Sequence, residues 1–382
     1  MTIWSVVKDD SGEKQRRKLI PRIALLACLA LVVVSLGIVL SPRSPEEPAE
    51  PPFSEQARSA ALAETMRLRA AGEELDGSGS GGTKPAVAQT VSLLTSQARA
   101  LLLPGQDDPA PPLSPGPAAP AATPSAVPSG ASSSVQPAAP LPPSAAALAA
   151  ALADSAAQRL ADAAVADGGM ARLLAAVGTA QLLQASSLAA AAGVPAPDVP
   201  DPAAPKLSGA CPGAAATPSS SPDASAASAG ADAGAATLSG ALAATVRTEL
   251  ESVYGYQVAL TRLGGEAAAG ASEQLALHEA LAAESEALTR IHCAPVPLRE
   301  AGYTMEQDFL ASPAAGLGGL ESSALPVYGD LVALSEGQTR QWAIAGLVGA
   351  ARRSALWGAQ TGALPGLAAD PAGFPELPAP GP

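Results

Sequence analysis

Histidine is nearly absent from this chain: only His278 and His292 occur among 382 residues. Neither follows a Glu by three positions; Leu275 and Thr289 stand there instead. That excludes the paired Glu-x-x-His elements that converge on one helix face in di-metal carboxylate bundles. No serine sits in a nucleophile-elbow pattern with a histidine partner, and no Gly-rich phosphate loop joins a strand to a helix. No catalytic residue and no cofactor are expected. Aromatic residues are only 3% of the chain. A core must therefore come from Leu, Val and Ala, which suits close-packed helices better than sheets. Basic residues are also scarce, 22 Lys and Arg against 35 Asp and Glu, for a net charge of −13. The acidic balance argues against nucleic acid as a partner, because phosphate contacts need clustered Lys and Arg.

The one basic cluster is Lys8, Lys14, Arg16, Arg17, Lys18 and Arg22. It precedes an uncharged run, Ile23 to Leu40, long enough to cross a hydrocarbon core roughly 30 Å thick. Arg43 alone follows among Glu46, Glu47 and Glu50. Flanking Lys and Arg favour the cytoplasmic side, so the pattern predicts a signal-anchor. Its basic stub at 1–22 would lie in the cytoplasm, its transmembrane helix at 23–40, and the remaining chain outside the cell membrane. Anionic lipid is the natural counterpart of the stub, making the lipid bilayer the first partner. Two other readings stand beside this one. A cleaved signal peptide would need a shorter apolar run and a small-x-small site. A lipoprotein would acylate Cys28.

Beyond the span, composition alternates. Residues 41–103 read as a spacer carrying two helical segments, one after Ser54 as a candidate cap and one near Val87–Leu103. Residues 104–143 are a Pro-rich linker with too little apolar surface to fold. Residues 144–192 read as a helical hairpin opened by Ser144 and broken at Asp167-Gly168-Gly169. Residues 193–237 form a second disordered Pro/Ala-rich linker, and 363–382 a fraying tail. Cys211 and Cys293 both fall on the expected outer side, where a disulfide persists; free thiols or a metal at His292-Cys293 are the alternatives.

The densest stretch, 238–362, predicts four main helices, about Leu238–Leu263, Ala267–Ile291, Leu320–Leu334 and Gly337–Gln360. Leu242, Val246, Glu249, Val253, Tyr256 and Leu260 recur at steps of three and four, as bundle stripes do. Gly264-Gly265 turns the first helix into the second. A long crossover, Pro295 to Gly319, separates the pairs. Ser335-Glu336-Gly337-Gln338 suits a capping box. The fold class is all-α, with connectivity like that of a ferritin-like four-helix bundle.

Four segments carry a resemblance. They are Glu249-x4-Tyr254-x-Tyr256, His278, the crossover LREAGYTM at Leu298–Met305, and the last helix RQWAIAGLVGAARRSALWG ending at Trp357-Gly358. Together they resemble a ferritin-like domain family of unknown function from membrane-associated proteins of high-GC bacteria. The resemblance implies a fold and no established activity. Glu249, His278 and Glu284 lie on or beside the apolar stripes. They are the candidate metal or proton-handling residues. Equally, they read as a buried hydrogen-bonded cluster fixing helix register, with Tyr254 or Tyr256 adding a hydroxyl. Glu279 and Glu286 read as solvated. The expected role is non-enzymatic: a cell-envelope protein binding or organising another envelope component. The alternative is a divergent metal-binding or oxidoreductase bundle.

Overall fold

Alanine-rich sequence with sparse aromatics folds here into close-packed helices. A computed structural model describes residues 50–78, 82–102, 140–198, 202–211, 237–367 and 371–377. The expected cytoplasmic stub, the 23–40 span, Cys28 and nearly all of the 104–143 linker lie outside the described residues. Among the described residues there are nine α-helices and no strand. We number them α1 Phe53–Ser78, α2 Lys84–Leu101, α3 Ala145–Val165, α4 Gly168–Ala191, α5 Leu238–Leu260, α6 Gly265–Ile291, α7 Gln307–Ala311, α8 Pro313–Leu334 and α9 Gly337–Leu356.

Neighbours in sequence pair in space: α1 with α2, α3 with α4, α5 with α6, and α8 with α9. The last two pairs meet along α5 and α8, and α4 packs on both α8 and α9. The α3–α4 hairpin thus docks on the later helices. A single apolar cluster runs from Ala61 of α1 through Leu174 of α4 to Leu331 of α8 and Leu347 of α9. The 41–103 stretch is more than a spacer: Leu68 of α1 and Leu94 of α2 are fully buried against Leu148 and Leu188. Where it is described, the tail is bonded to the helices. Arg99 donates to the Phe374 and Pro375 carbonyls, Gln97 to that of Ala363, and Arg172 to that of Gly366.

Helix α4 is apolar enough, by length and composition, to cross a membrane, with a mean hydropathy of 1.4. Here 72% of that window is buried inside the protein. Its apolar sides face α3, α8 and α9, which is why hydrophobicity surrounds it rather than forming one stripe.

Polar side chains lock the two halves. Arg340 is buried and donates to the carbonyls of Ala166, Val332 and Ser335. One guanidinium therefore serves the C-terminal ends of α3 and α8, where a cation opposes the helix dipole. Caps follow sequence only in part. Ser144 accepts from Ala147 N at 3.2 Å, but Ser54 accepts from Asp167 N at 2.8 Å instead of capping its own helix. The capping box at 335–338 is not made: Ser335 donates to the Leu331 carbonyl and Gln338 turns outward to Ser208.

Helix α8 begins at Pro313, seven residues before the expected Leu320. Gly316, Gly318 and Gly319 disfavour helix, yet two of them are needed for close approach. A Cβ at Gly316 would run into the Phe309 ring, and one at Gly318 would press on Trp357.

Candidate functional site

Helical spacing puts residues seven apart on one face. On α5 that pair is Glu249 and Tyr256; on α8 it is Glu321 and Tyr328. The two Glu-x6-Tyr elements meet across the α5–α8 contact and exchange partners. Tyr256 donates to Glu321 Oε1 at 2.8 Å, and Tyr328 donates to Glu249 Oε1 at 2.7 Å. His278 of α6 lies between the carboxylates. Its Nδ1 is 2.8 Å from Glu249 Oε2 and its Nε2 is 2.7 Å from Glu321 Oε1. Arg353 of α9 closes the set, with Nε 2.9 Å from Glu321 Oε2. Each of the four long helices of this segment supplies at least one member.

Glu249, His278 and Glu321 are wholly buried, and Arg353 is nearly so. An ionised carboxylate only accepts hydrogen bonds. When both carboxylates that face its ring nitrogens are ionised, both nitrogens of His278 donate and the ring is an imidazolium. Burial alone would drive its pKa down, but the bonds and charges of Glu249 and Glu321 outweigh it and hold the pKa above the usual range. Burial likewise pushes the Glu321 carboxyl up. The His278 bond and the Arg353 charge more than reverse that, leaving it below its ordinary value. Tyr256 and Tyr328 are both raised, first by burial and then by the carboxylates beside them. They stay protonated donors. Two carboxylates, one imidazolium and one guanidinium sum to zero, the condition under which buried charge is tolerable. Arg353 Nη2 is the member left without a protein acceptor.

Aromatic rings wall the network. Tyr256 lies tilted on His278 with centroids 5.0 Å apart, and Trp357 Nε1 donates to the Tyr256 hydroxyl at 2.8 Å. Tyr328 packs against Trp342 at 5.7 Å. Gly346 makes room for the Tyr328 ring, since a Cβ there would overlap it.

Of the three residues singled out from sequence, the structure brings Glu249 and His278 together and leaves Glu284 apart. Glu284 accepts from Trp342 Nε1 at 2.7 Å on the exposed edge of α6. Tyr256 supplies a hydroxyl to the cluster; Tyr254 does not, and packs on Tyr303 at 5.6 Å. Glu286 is not simply solvated: Arg290 and Arg299 both bond it at 2.8 Å. The structure adds Glu321 and Arg353 to the set. Cys211 and Cys293 are joined by a disulfide, with Cα atoms 5.1 Å apart.

The donor set does not suit a metal ion. The carboxylates lie on opposite edges of the imidazole, so no single point is within the roughly 2.0–2.2 Å that a metal needs from a His nitrogen and both oxygens. Both ring nitrogens are occupied, and Arg353 already supplies the second positive charge. Among the described residues, no three His, Cys, Asp or Glu side chains form a metal-holding group.

Every member of this network falls within one stretch of family similarity. Residues 241–369 match the family described as a domain of unknown function, DUF4439. The DUF4439 match spans α5 to α9, about a third of the chain. It includes Cys293 but not Cys211 or helices α1–α4. No curated protein and no solved structure matches the chain.

Proposed function

We propose that this protein is a membrane-anchored, extracytoplasmic helical scaffold that binds or organises another cell-envelope component. In this reading the DUF4439 segment is a ferritin-like bundle in which a neutral charged network holds the helices in register, and the protein is not an enzyme. The uncharged run at 23–40, behind its basic stub, is the anchor. One observation supports the reading above the others. The histidine and carboxylates best suited to chemistry spend their hydrogen-bonding capacity on one another, deep in the core, so the work falls to the surface.

Two experiments test it. Protease added to intact cells should digest the helical body; full protection of the body would reverse the topology. Metal analysis of the purified full-length protein should find less than stoichiometric iron, manganese or zinc, unchanged by Glu249→Gln. The rival reading, a divergent metal-binding or oxidoreductase bundle, takes its support from the presence of Glu249, His278 and Glu321 in one buried cluster. Stoichiometric metal lost on Glu249→Gln would establish that rival.

A further inference from the structure

Residues 202–211, PAAPKLSGAC, run along the N-terminal half of α9 without forming a helix of their own. Pro202 and Ala203 form one wall of a cavity of about 320 Å³ whose other walls are Leu160, Ala161 and Ala164 of α3 with Gln341 and Ile344 of α9. Further along, Leu207 packs on the main apolar cluster. Ser208 is held by Gln338 at both of its backbone polar groups: its N–H donates to Oε1 at 3.2 Å, and its carbonyl accepts from Nε2 at 2.5 Å. The segment then ends at Cys211, bonded to Cys293 just past the last turn of α6. Cys293 is exposed and Cys211 half-buried.

Most of this segment makes few contacts. Ala203, Ala204, Lys206, Ser208, Gly209 and Ala210 are all exposed. Two prolines prevent it from joining a helix. One packed leucine, one glutamine and one covalent bond are its anchors, and the first two are non-covalent, with water competing for the glutamine's bonds at an exposed site. The covalent bond is therefore what keeps the strap down.

We propose that residues 202–211 are a disulfide-latched strap whose first residues wall one side of the apolar groove between α3 and α9, and that a dithiol reductant releases it. The thiolate of the dithiol attacks the sulfur of Cys293, the more exposed residue of the pair, and Cys211 leaves as a thiolate. The second thiol of the reductant then resolves the mixed disulfide. Two electrons pass from the dithiol to the cystine; Cys211 and Cys293 end as thiols, and the reductant ends as a disulfide. The freed strap loses Leu207 and Gln338 as holding points, and Leu160 and Ile344 become reachable at the groove.

Trypsin reads this event cleanly. Lys206 is the sole Lys or Arg between Arg172 and Arg247, so a cut there is unmistakable by mass. In the purified full-length protein, reduction with dithiothreitol should speed cleavage at Lys206 about tenfold, because cleavage follows the population of the open form. Other sites should cut at their former rate, with helical circular dichroism unchanged. Cys211→Ser without reductant should behave like the reduced protein, whereas Gln338→Ala with the disulfide intact should stay slow. Carbene labelling from a small diazirine should rise on the peptides Leu160–Arg172 and Gln341–Arg352 after reduction. Equal cleavage at Lys206 in both redox states would overturn the latch. So would acceleration at every site together, which would signal general loosening, or unchanged labelling of the groove peptides.

Discussion

Glu321→Gln is expected to lower the unfolding free energy by about 3–5 kcal/mol, the usual cost of removing one partner from a buried charge set. The substitution keeps the volume of the side chain and deletes only its charge. Among the described residues, His278 and Arg353 would then share Glu249 as their nearest carboxylate, and no direct bond between Glu249 and Arg353 is found there. The Tyr256 hydroxyl would meet a neutral amide in place of a carboxylate. Urea unfolding should show the loss as a shifted midpoint at constant slope, since the exposed area on unfolding is unchanged. A control separates this from generic damage. Glu286→Gln removes a carboxylate with two arginine partners, but Arg290 and Arg299 have side chains 60% and 66% exposed. Such pairs contribute only about 0–1 kcal/mol. Replacing Glu249, His278, Glu321 and Arg353 together by apolar residues of similar size should cost less than Glu321→Gln alone, because no orphaned charge remains. A four-fold variant weaker than the single one would mean that the network contributes net attraction as well as avoiding a penalty.

Stability should also be confined to a window of pH with edges set by the same residues. His278 has a folded pKa raised above its ordinary 6.5. Its contribution is complete below that value and is lost as pH rises through the folded pKa, where the imidazolium gives up a proton that the network needs. Glu321 has a folded pKa below its ordinary 4.5. Its contribution is complete above that value and is lost as pH falls through the folded pKa. The network is therefore at full strength between about pH 4.5 and 6.5 and weakens on both sides. Thermal midpoints across pH 3 to 10 should trace a plateau with an alkaline shoulder. In His278→Leu the alkaline shoulder should vanish and the whole profile should drop. Exposed carboxylates elsewhere add to the acid limb, so the alkaline limb is the cleaner reporter.

Much of the helical plan was legible because apolar spacing and breakers agree. The α5–α6 turn at Gly264-Gly265 and the last helix start at Gly337 stand where the pattern puts them. Where it failed, tertiary packing overrode local preference. The first turns of α8 read as loop from their glycines, but those glycines admit Phe309 and Trp357. Residues 53–101 read as a spacer because each helix alone buries little; their leucines find partners only on α3 and α4. The site was half legible. Glu249 and His278 stood out as polar residues on apolar stripes. Glu321 carries the same mark, a lone carboxylate amid Leu317, Ala324, Leu325 and Tyr328, but it has no histidine three residues on to single it out. The repeated Glu-x6-Tyr of Glu249–Tyr256 and Glu321–Tyr328 was the signal that pointed to it. Arg353 has no such mark, since two adjacent arginines near a helix C-terminus are favoured there by the helix dipole alone.

The protonation of His278 goes to the heart of this picture, and nitrogen NMR of the imidazole reads it directly. With only His292 as a second histidine, assignment follows from a single His292→Asn spectrum. At about pH 5.5, inside the window of full strength, both ring nitrogens of His278 should carry protons, each bonded to a carboxylate, and added iron or zinc should leave them unmoved. A neutral ring with one bare nitrogen, or a resonance displaced by metal, would show that the cluster is a ligand site rather than a clamp.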